Sequence, residues 1–147
     1  MEKSLKTVAP YRICLLARSQ RYRDSLAGLL ATLPGVDILF ENALSQNIFE
    51  KLNLESPDML VVAGSLSNSD NARFATADLI RGARTACPGL KIVFLVDPAH
   101  FVPGAHLSGV DLILPIDTTA GELLQSIDRL ARREDFQQNY NPLIMYL

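Results

Sequence analysis

Pro57-Asp58-Met59-Leu60-Val61-Val62-Ala63 sets a turn signal directly against five residues without a polar break. A run this short and rich in branched side chains, with no alternation, suits a strand covered on both faces of a parallel sheet. Four more runs of the same kind flank it. Upstream lie Ile13-Cys14-Leu15-Leu16-Ala17 and Val36-Asp37-Ile38-Leu39-Phe40. Downstream lie Ile92-Val93-Phe94-Leu95-Val96 and Val110-Asp111-Leu112-Ile113-Leu114. The second and fifth runs in chain order each carry an aspartate, which is the expectation for edge strands.

Amphipathic stretches separate the runs. Ser19 is a candidate cap for a helix striped by Tyr22, Leu26, Leu29, Leu30 and Leu33 and stopped by Pro34-Gly35. Ser45 precedes a shorter helix with Ile48, Phe49 and Leu52, closed before Pro57. Asp70 or Asn71 opens a third through Phe74, Ala77, Ile80 and Ala83, ended by Pro88-Gly89. Thr119-Ala120-Gly121-Glu122 is a capping box ahead of Leu123, Leu124, Ile127, Leu130 and Ala131. Pro98, Pro103 and Gly104 interrupt the stretch between the fourth and fifth runs, so an irregular or very short helix is expected there. Alternating strands and helices predict an α/β fold with an open, doubly wound five-stranded parallel sheet. Chemistry in such sheets gathers just past the carboxyl ends of the strands.

The chain has 147 residues, enough for one domain with a real core. A net charge of −2 gives no electrostatic argument for nucleic acid or an anionic membrane as partner. Cys14 and Cys87 are the only cysteines and are expected to be reduced thiols. No run approaches the roughly 20 apolar residues of a membrane span, and a soluble, cytoplasmic protein is expected.

The order and spacing of these elements resemble the receiver domain of bacterial response regulators, the CheY-like, flavodoxin-like family, over about residues 11 to 132. Leu29 through Ile38 is similar to the nitrate-response branch of that family. Pro57-Asp58 and the strand to Ala63 match the lead-in to its phospho-acceptor aspartate. Gly109-Val110-Asp111 and Leu112 to Leu124 align without a gap onto its last strand, Lys-Pro and Glu-Leu-Leu. The resemblance implies a strand order of 2-1-3-4-5. It divides the chain into an N-terminal extension (1–10), a receiver-like domain (11–132) and a C-terminal tail (133–147).

Carried over position by position, the resemblance empties the reaction centre. The two metal-binding acids fall on Ala17 and Arg18, and the phospho-acceptor on Ala63. The switch hydroxyl falls on Val96 and the phosphate-pairing lysine on Ile116. Phosphoryl transfer needs a carboxylate nucleophile and a cation held by hard oxygen ligands, and these residues supply neither. A phosphorylation pocket degenerate at every position implies no magnesium, no cofactor and no catalysis.

Other polar groups are weaker candidates. Ser65, in the small polar segment Gly64–Asp70, and Asp97, after the fourth run, are possible residual pocket groups, although Asp97-Pro98 reads more simply as a turn. Arg18 is a candidate fixed cation in the metal position. Arg12, Arg18, Arg21 and Arg23 form a basic cluster that reads as a solvated face. His100 and His106 lack partners at ligand spacing.

The leading expectation is a phosphorylation-independent pseudo-receiver. It would act by protein–protein contact, with itself as a homodimer or with another protein, in two-component-type signalling or transcription control. Ala120, Leu123, Leu124 and Ile127 are its expected interaction face, helped by the apolar tail Leu143–Leu147. The alternative is a small-molecule or cofactor sensor using a crevice lined by Ala17, Ala63, Val96 and Ile116. A third reading makes the chain the front domain of a longer protein.

Overall fold

The structure, a computed structural model, describes residues 10–17, 20–42, 48–63, 72–97 and 109–132, with backbone alone for 40–42 and 72–77. Five strands, β1 (Tyr11–Ala17), β2 (Val36–Asn42), β3 (Met59–Ala63), β4 (Lys91–Val96) and β5 (Leu112–Pro115), form one sheet in the order β2-β1-β3-β4-β5. Every pairing is parallel. Four helices complete the described fold: α1 (Gln20–Leu30), α2 (Ile48–Glu55), α3 (Ala72–Ala86) and α4 (Ala120–Arg132). The expected fold class and strand order are what the chain adopts, and the two aspartate-bearing runs lie at the edges. Residues 1–9 of the extension, the tail, residues 98–108 of the fourth crossover, Ser19, Ser45, Asp70 and Asn71 lie outside the described residues.

Strand alternation divides the core into two layers. Ile13, Leu15 and Ala17 join Met59, Val61, Ala63, Val93, Leu95 and Leu112 beneath Leu26 and Leu30 of α1 and Leu123, Ile127 and Leu130 of α4. On the opposite face Cys14, Leu16, Leu60, Val62, Ile92, Phe94 and Ile113 meet Ile48 and Leu52 of α2 and Leu79, Ile80 and Ala83 of α3. Both cysteines are free and buried in this second layer. Of the expected stripes, Leu26, Leu30, Ile48, Leu52, Ile80, Ala83, Leu123, Ile127 and Leu130 are buried, whereas Phe49 is exposed, and the helix ends follow local chemistry. After α1 the Thr32 and Leu33 amides donate to Leu29 and Leu30 carbonyls, and Gly35 at φ 79° turns the chain into β2. Ser56, at φ 47°, takes the left-handed position after α2, its amide donating to Leu52.

Two aspartates set the register at the amino edge of the sheet. The Arg12 amide donates to Asp58 Oδ2 at 2.8 Å, and the Asp58 amide donates to the Arg12 carbonyl at 2.8 Å. The Ile92 amide donates to Asp111 Oδ2 at 2.8 Å, and the Asp111 amide donates to the Ile92 carbonyl at 2.8 Å. Sequence reading puts Val110 and Asp111 inside the fifth strand. The strand instead begins at Leu112, because the Asp111 carboxylate is engaged with β4. Arg84 of α3 completes this corner: its guanidinium donates to Asp111 Oδ2 at 2.8 Å and to the carbonyls of Gly109 and Leu90. Arg12 likewise donates to the Glu55 carbonyl at 2.6 Å, a cation at the negative end of α2.

Candidate functional site

The carboxyl edge of the sheet is the place to look for chemistry. There Ala17 and Ala63 are direct register partners, with Ala63 beside Leu95 and Val96 beside Pro115. The Ile116 amide donates to the Val96 carbonyl at 2.7 Å and extends the β4–β5 pairing by one bond. Ala17 and Ala63 are 2% and 3% exposed, so their methyl groups are core rather than the walls of an open crevice.

The expected four-residue crevice is divided by the sheet. Ala17, Ala63 and Ile116 pack on the α1/α4 side, whereas Val96 packs on the α2/α3 side. Alternation requires this, because Val93 and Leu95 face α1/α4 and their next neighbour must face away. Asp97 is half-buried and partnered. Arg18 and Ser65 lie outside the described residues, as do Gly64–Asp70, His100 and His106.

The structure puts a different arginine at this edge. Arg23, in the first turn of α1, is half-buried, and its Nη1 donates to the Ala17 carbonyl at 2.5 Å, at the last residue of β1. Sequence reading left Arg23 within a solvated cluster. The available signal was its sign: the first turn of α1 holds Arg21 and Arg23 and no acid, against the preference of a helix amino end. Tyr22, from the same turn, has its phenol held above the ordinary range by burial.

This edge does not fit the divalent cation that the resemblance implies. Such an ion needs several hard oxygen donors. The end of β1 offers a methyl group and a carbonyl already bound by a guanidinium, a group with donors only and a permanent positive charge. Among the described residues no group of three or more His, Cys, Asp or Glu side chains gathers. Ala63 carries no nucleophilic atom.

The expected interaction face needs correction. Leu123 and Ile127 are 4% and 0% exposed and belong to the α1/α4 core layer. Their spacing puts them on the inward stripe of α4, leaving exposed Ala120 and half-buried Leu124 beside it. The capping box is also redistributed. The Glu122 amide donates to Thr119 Oγ1 at 3.1 Å as expected, but the Glu122 carboxylate accepts from Thr118 Oγ1. Among the described residues no helix is long and apolar enough to cross a membrane.

No protein-family model matches the chain, and no curated protein does. Solved structures do. The receiver domain of RcsB from Salmonella enterica serovar Typhimurium, solved with the phosphomimetic BeF3−, superposes with a TM-score of 0.72 at 14% identity, covering 94% of this chain and 99% of that one. A LuxR-family two-component response regulator from Aurantimonas gives 0.68 at 19% identity over 84% of this chain and 86% of that one. A receiver-modulated diguanylate cyclase from Pelobacter carbinolicus gives 0.61 at 17% identity over 85% and 95%. The fold is the flavodoxin-like receiver fold.

Proposed function

We propose that this chain is a phosphorylation-independent receiver-like module that works by protein–protein contact in two-component-type signal transduction or transcription control. The observation that carries this reading is the in-register pair Ala17 and Ala63, buried methyl groups where phosphoryl transfer would need carboxylates. The receiver architecture of the structural neighbours supports the signalling context. The partner is a second copy of the chain or another protein, the cytoplasm is the compartment, and neither magnesium nor direct nucleic-acid contact enters the mechanism. A receiver works by biasing an equilibrium between two surfaces. Without a phosphate input, this surface is set by its partner or is competent throughout.

Incubation with acetyl phosphate, or with beryllofluoride and magnesium, tests the reading. Unchanged intact mass and an unchanged amide NMR spectrum are expected. Stoichiometric, magnesium-dependent labelling of the domain, located by a phosphopeptide map, overturns it. The small-molecule alternative has less support, since Val96 faces away from Ala17, Ala63 and Ile116.

A further inference from the structure

We propose that Arg23 is a built-in cation for the carboxyl edge, holding the end of β1 from within the chain and opposing a divalent ion there. Three observations converge on it. Its guanidinium donates to the terminal carbonyl of β1. The carbonyl belongs to Ala17, the register partner of Ala63 at the junction of β1 and β3, where the sheet changes its direction of winding. The cation stands in the first turn of a helix that has no acid there to offset it. A positive charge at a helix amino end is unfavourable by itself, and the contact with the strand end is one of the contacts that offset that placement.

Arg23 and the uncharged residues Ala17 and Ala63 form one arrangement. With uncharged side chains at Ala17 and Ala63, the Ala17 carbonyl is an acceptor at the strand end that a guanidinium satisfies without recruiting an ion. Reinstated carboxylates would meet Arg23 first. They would pair with it as charge-assisted hydrogen bonds rather than open a metal site. The inference rests on the receiver-like reading of this edge but not on how the module pairs.

The test reinstates the acids with and without the arginine. In an Ala17→Asp/Ala63→Asp protein, terbium luminescence and the thermal shift with magnesium are measured with Arg23 retained and with Arg23→Met, which keeps the aliphatic stem and removes the charge. Metal binding at least about tenfold tighter in the methionine background is expected from removing one nearby like charge. Equal affinity in the two backgrounds overturns the proposal.

If the acids prevent folding, the wild-type background supplies a second arm. Hydrogen exchange at the carboxyl ends of β1 and β3 is expected to quicken roughly tenfold in Arg23→Met, the loss of a charged hydrogen bond, and to change little in Arg23→Lys. Unchanged exchange in Arg23→Met overturns the proposal. Phosphodonor labelling of the wild-type chain reports separately on the proposed function, so the two ideas fail by different measurements.

Discussion

Ile92 and Asp111 close a two-bond ring across the β4–β5 junction, each amide donating to the other residue at 2.8 Å. Arg12 and Asp58 repeat it between β1 and the start of β3. Each carboxylate thereby satisfies a strand amide that has no ladder partner at that level.

Asp111→Ala is expected to lower stability by about 1.5–3 kcal/mol, the range for a hydrogen bond to a charged group, because the Ile92 amide loses its acceptor and the Arg84 guanidinium keeps only the Gly109 and Leu90 carbonyls. Asp111→Asn keeps an acceptor oxygen and is expected to cost about half as much. Urea unfolding measures both. Asp58→Ala is expected to destabilise as well, and the double variant to depart from additivity, because both carboxylates act on the Tyr11 phenol and the Asp58 carbonyl accepts from the Lys91 amide, next to Ile92.

Gly82 of α3 lies under the Phe49 ring. A Cβ built there would sit 2.4 Å from one ring carbon and 2.6 Å from another. Phe49 is 37% exposed, so the ring can swing outward, losing its contact. Gly82→Ala is expected to destabilise by about 1–2 kcal/mol, because displacing the ring outweighs the helix-propensity gain of about 1 kcal/mol. With Phe49→Ala in place, the same change is expected to stabilise. A double-mutant cycle by thermal unfolding reads the reversal of sign.

The Cys14 thiol is fully buried, and burial pushes its pKa up from 9.0 to about 12. Burial raises the Cys87 thiol as well, with the Asp58 charge as a second cause. A raised thiol is protonated in the fold while the unfolded chain ionises. Its contribution is therefore complete below pH 9.0 and is lost as pH climbs toward 12. Stability is expected to fall across that window by up to about 1.4 kcal/mol per pH unit from Cys14, with Cys87 acting in the same direction. Cys14→Ala should flatten the decline. Native protein at pH 8 should leave Cys14 unreactive toward a thiol reagent until denaturant is added.

Leu123 and Leu124 are sequence neighbours with opposite duties. Leu123→Ala is expected to cost about 2–5 kcal/mol as a core truncation. Leu124→Asp, half-buried at the surface of α4, is expected to cost far less and to weaken the proposed self-association. Sedimentation of the full chain, the Leu124→Asp variant and a chain ending at Arg132 tests this. A monomeric full chain at high micromolar concentration removes the homodimer and favours a heterologous partner.

The fold was legible because buried parallel strands announce themselves as short unbroken apolar runs, and five of them in order leave few topologies. The carboxyl edge was legible only as a set of residue types. Parity along β4 already implied that Val96 opposes Leu95, yet lining up strand ends conceals which face each one meets. Leu123 and Ile127 misled for a related reason: an inward helical stripe and a docking stripe have the same period, and one side chain cannot serve both. Arg23 was missed because a side chain reaching back to a backbone carbonyl leaves no pattern beyond a charge of the wrong sign in a first turn.

The paired aspartate rings stand at one rim of the sheet, and Ala17, Ala63, Val96 and Ile116 at or just past the other. Five residues of β3 separate the rims by about 16 Å, more than the roughly 7–10 Å beyond which substitutions add independently. Strand alignment and edge chemistry are thus thermodynamically separable here. The rim at Ala17, Ala63, Val96 and Ile116 is therefore a natural blank for grafting: a library varied at those four positions would inherit an intact frame.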